Sequence, residues 1–160
     1  MPATEVIRLC LAALALWLAP IAASAQQDFS NLNEWRVLCD PDGACQIRNQ
    51  QRTGRGADSQ ILVYRIGQAE IVEFKTPLGL DLRKGVVLLV DRRQRFATDL
   101  LTCKAEGCVG FAPMTTELLR ALAGGSELEV VWTDNDTDRQ QSYAFSLVGF
   151  VRSYNTFFEQ

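Results

Sequence analysis

The sequence predicts a mainly β protein, an antiparallel β-sandwich with one short helix before the last hairpin and a short helix at the carboxyl end. After residue 34, short runs alternate apolar and polar residues, which is the period-2 pattern of half-buried strands. Glycine, proline and aspartate separate these runs and indicate tight turns. The chain does not alternate strand and helix patterns as a parallel sheet would, and it has no internal repeat.

The first strands flank the first pair of cysteines. A strand is predicted at 35–39, followed by a turn rich in aspartate, proline and glycine and by a second strand at 45–49. The polar, glycine-containing segment 51–59 is predicted to be an exposed loop. Strands at 61–66 and 71–74 follow, before proline and glycine interrupt the pattern.

The second half of the chain supplies the remaining strands. The apolar run at 86–91 predicts a strand that is buried on both faces. The basic segment 92–95 predicts a turn after it. The other strands are predicted at 100–103, 108–111, 128–133 and 142–148, with a polar loop at 134–141 between the last two.

One helix is predicted between the second cysteine hairpin and the last hairpin. Thr115 or Thr116 can cap its start, and Glu117 favours the positive end of the helix dipole. Leucines at helical spacing give it one apolar face, and the glycines at 124–125 end it. A second short helix is predicted at the carboxyl end from the aromatic residues Tyr154, Phe157 and Phe158.

Residues 1–25 have the pattern of a cleaved secretory signal peptide. Arg8 precedes an apolar core that ends well before the A-x-A site at 23–25. That core spans about 11 residues, whereas a helix needs about 20 to cross a bilayer. We therefore expect residues 26–160 to form a single exported domain with no transmembrane segment after signal cleavage. An uncleaved membrane anchor is the alternative.

Four cysteines remain after the signal peptide, namely Cys39, Cys45, Cys103 and Cys108. An even number in an exported protein indicates two disulfides. The short spacings favour Cys39 with Cys45 and Cys103 with Cys108, each closing a hairpin. Pairing across the sheets remains open, and a zinc site of four thiolates disagrees with the spacings.

Composition argues against several classes of function. The chain has no histidine, so the commonest general base and the usual catalytic zinc ligands are absent. The formal net charge of −3 does not suit nonspecific nucleic-acid binding. We therefore expect no catalytic residues, no cofactor, no metal site and no nucleic-acid partner. A hydrolase with two carboxylates and a calcium site at 134–138 are the alternatives; the second lacks the glycine and the acidic residue that its loop requires.

Three charged segments are the candidates for a contact surface, although each is also what a solvated turn looks like. They lie in the 51–59 loop, the 92–95 turn and the 134–139 tip. Their charged residues are Arg52, Arg55, Arg92, Arg93, Arg95, Asp134, Asp136 and Asp138.

Short motifs along nearly all of the mature chain form a further pattern. They are Trp35-x-x-x-Cys39 with Cys45 after it, Pro77-Leu78-Gly79-Leu80, Lys84-Gly85, Val90-Asp91, Cys103 through Gly107-Cys108, Gly124-Gly125 and Ser146-Leu147-x-Gly149-Phe150. In order and spacing they resemble the invasion-associated locus B family of exported bacterial proteins, from residue 35 to about residue 158. The resemblance implies an immunoglobulin-like β-sandwich in the periplasm, on the surface or in the secretions of a Gram-negative bacterium. It implies no catalytic or cofactor residues.

Together these observations predict a non-enzymatic, exported module that binds a protein partner in the envelope or on a host surface. Family members are associated with host-cell invasion, but many relatives belong to free-living bacteria, so the resemblance does not by itself imply virulence. The alternative is a periplasmic factor for envelope assembly or envelope stress.

Overall fold

The computed structural model describes residues 34–52 and 58–158. Within them, ten strands form two antiparallel sheets and two short helices accompany the sheets, which confirms the predicted mainly β class. The elements are β1 (Arg36–Cys39), β2 (Cys45–Arg52), β3 (Asp58–Ile66), β4 (Ala69–Thr76), β5 (Val86–Val90), β6 (Gln94–Ala97), β7 (Asp99–Lys104), β8 (Gly107–Pro113), α1 (Thr116–Gly124), β9 (Glu127–Thr133), β10 (Gln140–Ser146) and α2 (Phe150–Phe158).

The two sheets are joined on one side by the chain itself. The six-stranded sheet has the order β1-β2-β3-β4-β8-β7 and the four-stranded sheet the order β10-β9-β5-β6. β6 and β7 are separated only by Thr98 but belong to different sheets, so the chain crosses the sandwich at this corner. The Thr98 hydroxyl donates to the Val86 carbonyl at 2.7 Å, which holds the crossing point against β5.

On the opposite side, side chains close the sandwich. The indole Nε1 of Trp35 donates to the Ser146 carbonyl at 2.7 Å. The amide of Asn49 reaches the same carbonyl at 3.5 Å, and the amide of Gln51 donates to the Ala144 carbonyl. β2 and β10 are thus linked through side chains rather than through a shared ladder.

The core lies between the sheets and contains the large aromatic residues. Phe74 and Phe145 are fully buried, as are the inward residues of β5. The aromatic residues Trp35, Trp132 and Phe150 are also buried in this core. Burying such residues is the main driving force for folding a chain of this size.

The prediction that β5 is buried on both faces is wrong. Burial alternates strictly along Val86–Val90, and Val87 and Leu89 are only half-buried on the outer face. β5 is therefore apolar on both sides although only its inner face is fully buried.

The two helices have the predicted positions. Thr115 is the N-cap of α1 and its hydroxyl accepts from the Leu118 amide at 3.1 Å. Gly125 ends this helix by donating its amide to the Ala121 carbonyl. α2 contacts β1 and β2, and its Ser153 hydroxyl donates to the Trp35 carbonyl at 2.9 Å. Neither helix is long and apolar enough to cross a membrane, and the described residues contain no other candidate.

Candidate interaction surface

The cysteines lie at diagonally opposite corners of the six-stranded sheet. The structure bonds Cys39 to Cys45 and Cys103 to Cys108, and each pair sits directly opposite in register. The first bond ties edge strand β1 to β2, and the second ties edge strand β7 to β8. Cys108 pairs with Thr76 at the end of β4. Gln46, the residue after Cys45, pairs with Tyr64 near the β3–β4 turn, which is at the other end of the sheet. Each edge of this sheet is therefore covalently fixed at one end.

The basic turn between β5 and β6 is held in an unusual backbone conformation. Asp91 and Arg92 both have positive φ, 49° and 57°, and the Arg93 amide donates to the Val90 carbonyl. Positive φ at two central residues is the requirement of a type I′ turn, which usually contains asparagine and glycine. Side-chain contacts compensate here, because the Asp91 carboxylate accepts from the backbone amides of Ser126 and Glu127, both at 2.9 Å.

Arg92 extends from this turn over the four-stranded sheet. Its Nε donates to a carboxylate oxygen of Glu129 at 2.9 Å, and its guanidinium lies 4.0 Å from Glu127. The hydrogen bond to Glu129 is the main reason that the pKa of Arg92 is raised. Arg93 and Arg95 are exposed, and Arg95 lies in β6 opposite Leu89 rather than in the predicted turn.

The carboxylates of the acidic tip between β9 and β10 already have hydrogen-bond or ion-pair partners within the protein. Asp134 accepts from the amide and the hydroxyl of Thr137, at 2.8 and 2.7 Å. Asp138 forms an ion pair with Lys84, and Asp136 lies 3.5 Å from the Asn135 amide nitrogen. No cluster of three or more metal-ligating side chains occurs in residues 34–52 and 58–158.

A buried aspartate, Asp81, anchors the chain next to this tip. Asp81 is only 6% exposed, and its carboxylate accepts from the backbone amide and the guanidinium of Arg83, at 3.0–3.1 Å. These bonds to Arg83 lower the pKa of Asp81. The Asp81 amide donates to the Thr133 carbonyl at 2.8 Å, so the segment before β5 is anchored to the end of β9.

Two of the charged segments, the basic turn and the acidic tip, lie apart in the fold. The basic turn adjoins the beginning of β9, through Ser126 and Glu127, whereas the acidic tip follows its end at Thr133. The two charged segments therefore lie at opposite ends of the four-stranded sheet. Arg55 and the side chain of Arg52 lie outside the described residues.

A groove on the outer face of the four-stranded sheet was not predicted. Its volume is about 210 Å³, and it is lined by Leu89, Arg92, Glu129, Val131, Gln140, Gln141 and Ser142. Glu129 is only 7% exposed although it lies on the outer face, because Arg92 covers it. Next to it, Ala144 and Ser142 are small and lie opposite Glu129 and Val131 in register. The groove thus combines an apolar floor with one covered ion pair.

One backbone edge borders this groove. The Leu147 amide donates to the Ser126 carbonyl, toward β9, and the backbone groups of alternate residues point to opposite sides of a strand. Those of Ser142, Ala144 and Ser146 therefore face away from β9. The carbonyls of Ala144 and Ser146 are the ones that Gln51, Asn49 and Trp35 bind.

The sequence carried only a weak signal for this surface. Residues 140–141 are polar and were assigned to the loop, so β10 was predicted to start two residues too late. Glu129 lies between Leu128 and Val130 and reads as an ordinary outward residue of an alternating strand. The positive φ at Asp91 and Arg92 has no sequence signal, because neither residue is glycine.

Comparisons with known proteins agree with this architecture. The family model for the Invasion associated locus B (IalB) protein matches residues 35–157. The invasion protein B homologue of Brucella abortus strain 2308 is 25% identical over 146 residues, covering 88% of this chain and 84% of that protein; the homologue of Brucella abortus biovar 1 strain 9-941 has the same values. The crystal structure of invasion associated protein b from Bartonella henselae superposes with a TM-score of 0.71 at 19% identity, over 81% of this chain and 94% of that one. The last similarity concerns the fold.

Proposed function

Because this chain belongs to the invasion-associated locus B family, we propose that it is an exported, non-enzymatic module that binds a protein partner in the bacterial envelope or on a host surface. Its compartment is the periplasm, the cell surface or the medium, after removal of a signal peptide at residues 1–25. The relatives in Brucella are named as invasion protein homologues, which is consistent with a binding role.

The observation that carries the proposal is the position of the two disulfides. Disulfides persist in oxidising compartments outside the cytoplasm. Here they fix the two edge strands of one sheet at opposite corners. Such a rigid sheet presents its surface with little loss of conformational freedom on binding, which favours a role in recognition.

The chemistry of the charged groups supports the non-enzymatic part of the proposal. A catalytic site usually gathers groups with perturbed pKa values in one cleft. The groups with shifted pKa values are scattered here and serve structural contacts: Asp81 holds Arg83, and Tyr154 holds Glu70. The chain also has no histidine to act as a base near neutral pH.

Affinity capture tests the proposal. The exported protein, purified with its disulfides intact, is immobilised and exposed to envelope extract of the producing bacterium and to host-cell surface extract. The matched control is the same protein after reduction and alkylation. Specific enrichment of one polypeptide by the oxidised protein alone is the expected result, and no enrichment from either extract would overturn the proposal.

Protease treatment of intact cells distinguishes the two forms of this function. Surface exposure makes the protein sensitive to added protease and favours host contact. Protection until the outer membrane is opened favours the envelope-assembly alternative, particularly if the captured polypeptide is itself an envelope protein.

A further inference from the structure

We propose that the outer edge of β10, at Gln140–Ser142, binds an extended segment of the partner polypeptide by strand addition, with one basic side chain of that segment in the adjoining groove. This inference rests on the proposed function and names its site. In strand addition the backbone hydrogen bonds provide affinity, and pockets for alternate side chains provide specificity.

The backbone amides and carbonyls at this edge determine which kind of ligand can bind there. The amide and carbonyl of Ser142 face away from β9, as do those of Ala144 and Ser146. Intramolecular side chains bind the carbonyls of Ala144 and Ser146, which shows that this row of groups accepts hydrogen bonds from outside the four-stranded sheet. The same edge of β10 extends beyond these side chains to its first residues, and Gln140, Gln141 and Ser142 are exposed there. A second extended backbone is the partner that matches such alternating donors and acceptors.

Both edges of the six-stranded sheet, β7 and β1, have features that discourage strand addition. β7 has a register irregularity between Leu100 and Thr102 and a disulfide at Cys103. β1 is only four residues long, is disulfide-bonded at Cys39 and contacts α2. Proteins protect their edges with bulges, short strands, charges and prolines. The start of β10 has the sequence Gln-Gln-Ser, with neither charge nor proline.

The groove indicates which side chain the added segment carries. Because Ser142 and Ala144 are small, a side chain from an added strand can pass over them toward Val131 and Glu129. Glu129 lies two strand spacings from the added strand, about 10 Å, and opposed long side chains can span that distance. Arg92 Nε binds only the Oε1 oxygen of Glu129, so the second carboxylate oxygen can accept from an incoming basic side chain.

The strained turn next to the groove fits a binding role. Positive φ at Asp91 and Arg92 costs backbone energy that the contacts of their side chains must offset. The result is that Arg92 stays over Glu129 while 77% of its own side chain remains accessible. An incoming basic side chain can share Glu129 with Arg92 without rearranging the sheet.

A matched pair of variants tests the edge. Ser142→Pro removes an amide that faces outward, so it leaves the ladder with β9 intact, and Ser142→Ala keeps that amide. The probe is the synthetic peptide Thr-Val-Thr-Val-Arg-Val-Thr-Val-Thr, titrated into isotope-labelled protein and followed by NMR. We expect shifts and slower hydrogen exchange at the amides of Ser142 and Ala144. Circular dichroism checks that both variants keep the native fold.

The affinities decide the outcome. Loss of the outward hydrogen bond in Ser142→Pro should weaken peptide binding about tenfold, and Ser142→Ala should change it less than about twofold. The same peptide with glutamate in place of arginine should bind more weakly to the wild type. Equal affinity of the wild type and Ser142→Pro would overturn the proposal, and so would strong exchange protection of these amides before peptide is added.

Affinity capture with the same variants separates this inference from the proposed function. If Ser142→Pro captures the natural partner as well as the wild type does, the module binds proteins but not through this edge. If the wild type captures nothing while the peptide titration behaves as expected, the proposed function fails and the edge remains a strand-binding surface.

Discussion

Gly110, in β8, lies where a larger residue would collide with both β4 and β7. A Cβ atom at this position would lie 2.5 Å from Cζ of Phe74 and 2.9 Å from the carbonyl oxygen of Asp99. Phe74 is fully buried, so its ring has little room to withdraw. Only glycine lets the β4 aromatic ring pass over the β8 backbone here.

We therefore expect Gly110→Ala to lower the free energy of unfolding by about 1–3 kcal/mol, because overpacking a dense core forces neighbours from their preferred positions. Urea denaturation measures the change. Gly124→Ala is the matched control, since a Cβ there meets nothing within 4 Å and alanine favours the end of α1. Equal destabilisation by both substitutions would contradict the close approach at Gly110.

Asp81 makes stability depend on pH in a defined direction. The hydrogen bonds from Arg83 lower its folded pKa below the ordinary value of 3.8. Because the pKa of Asp81 is lower in the folded protein than in the unfolded chain, the carboxylate stabilises the fold at pH values above the unfolded pKa of 3.8. This stabilisation disappears as the pH falls through the folded pKa.

Asp81→Asn should therefore be less stable than the wild type at neutral pH, and the difference should shrink as the pH falls below 3.8. Thermal unfolding of both proteins across the acid range measures this. Arg83→Gln removes the same pair from the other side, and the double variant should lose little more than either single variant. A difference that stays constant down to the most acid pH would refute the assignment to Asp81.

At the scale of elements, α2 is fixed to the six-stranded sheet by a small polar cluster. The Tyr154 hydroxyl donates to Glu70 at 2.6 Å, and Arg65 contacts the other oxygen of Glu70 at 3.4 Å. Arg65 also lies 5.2 Å from the centre of the Phe157 ring. Burial, and then the bond to Glu70, raises the pKa of Tyr154. The cluster joins the end of the chain to the β3–β4 hairpin.

Tyr154→Phe should cost about 0.5–1.5 kcal/mol, the usual net value of one hydrogen bond, and the loss should appear first as faster hydrogen exchange in α2. Tyr64→Phe is the matched control, because Tyr64 donates to Glu73 at 2.7 Å within the sheet and burial likewise raises its pKa, to about 12. Mass spectrometry of exchanged peptides reports both variants. Faster exchange in α2 for Tyr64→Phe as well would mean that α2 is not held by Tyr154 in particular.

Local patterns were enough to predict both helices and every strand except β6, because alternation, caps and turn residues act over a few positions. The outer face of β5 could not be predicted, because its valines and leucines look alike whether or not another layer covers them. β6 was interpreted as a turn, since its pairing with β5 depends on the strained conformation at Asp91 and Arg92.

The candidate groove could not be predicted from the sequence for a related reason. Glu129 and Ser142 are 13 positions apart along the chain and meet only through the register of β9 and β10. The segments chosen for their charge, at the basic turn and the acidic tip, were separated to opposite ends by that same register. Charge content predicts solvent exposure, whereas proximity depends on strand pairing.

At the scale of the whole molecule, the two disulfides stabilise different corners of one sheet. They close short loops, with sequence separations of 6 and 5. Chain entropy assigns about 2 kcal/mol to each loop of this size. Since the bonds lie at opposite edges, their contributions should be nearly independent.

We expect Cys39→Ser/Cys45→Ser and Cys103→Ser/Cys108→Ser each to lower stability by about 2 kcal/mol, and the four-fold variant to lose about the sum. Hydrogen exchange should rise mainly in β1 for the first variant and in β7 for the second. Urea denaturation and exchange mass spectrometry measure both effects. A loss in the four-fold variant far above the sum would show that the two corners are coupled.

The two sides of the sandwich are joined in different ways. At Thr98 the backbone itself passes from one sheet to the other, so thermal motion cannot part the sheets there without unfolding β6 and β7. Along β10, by contrast, the sheets are joined by side chains such as Trp35 and Asn49, which can release and rebind one at a time. We therefore expect local opening of the sandwich to begin on the β10 side rather than at Thr98.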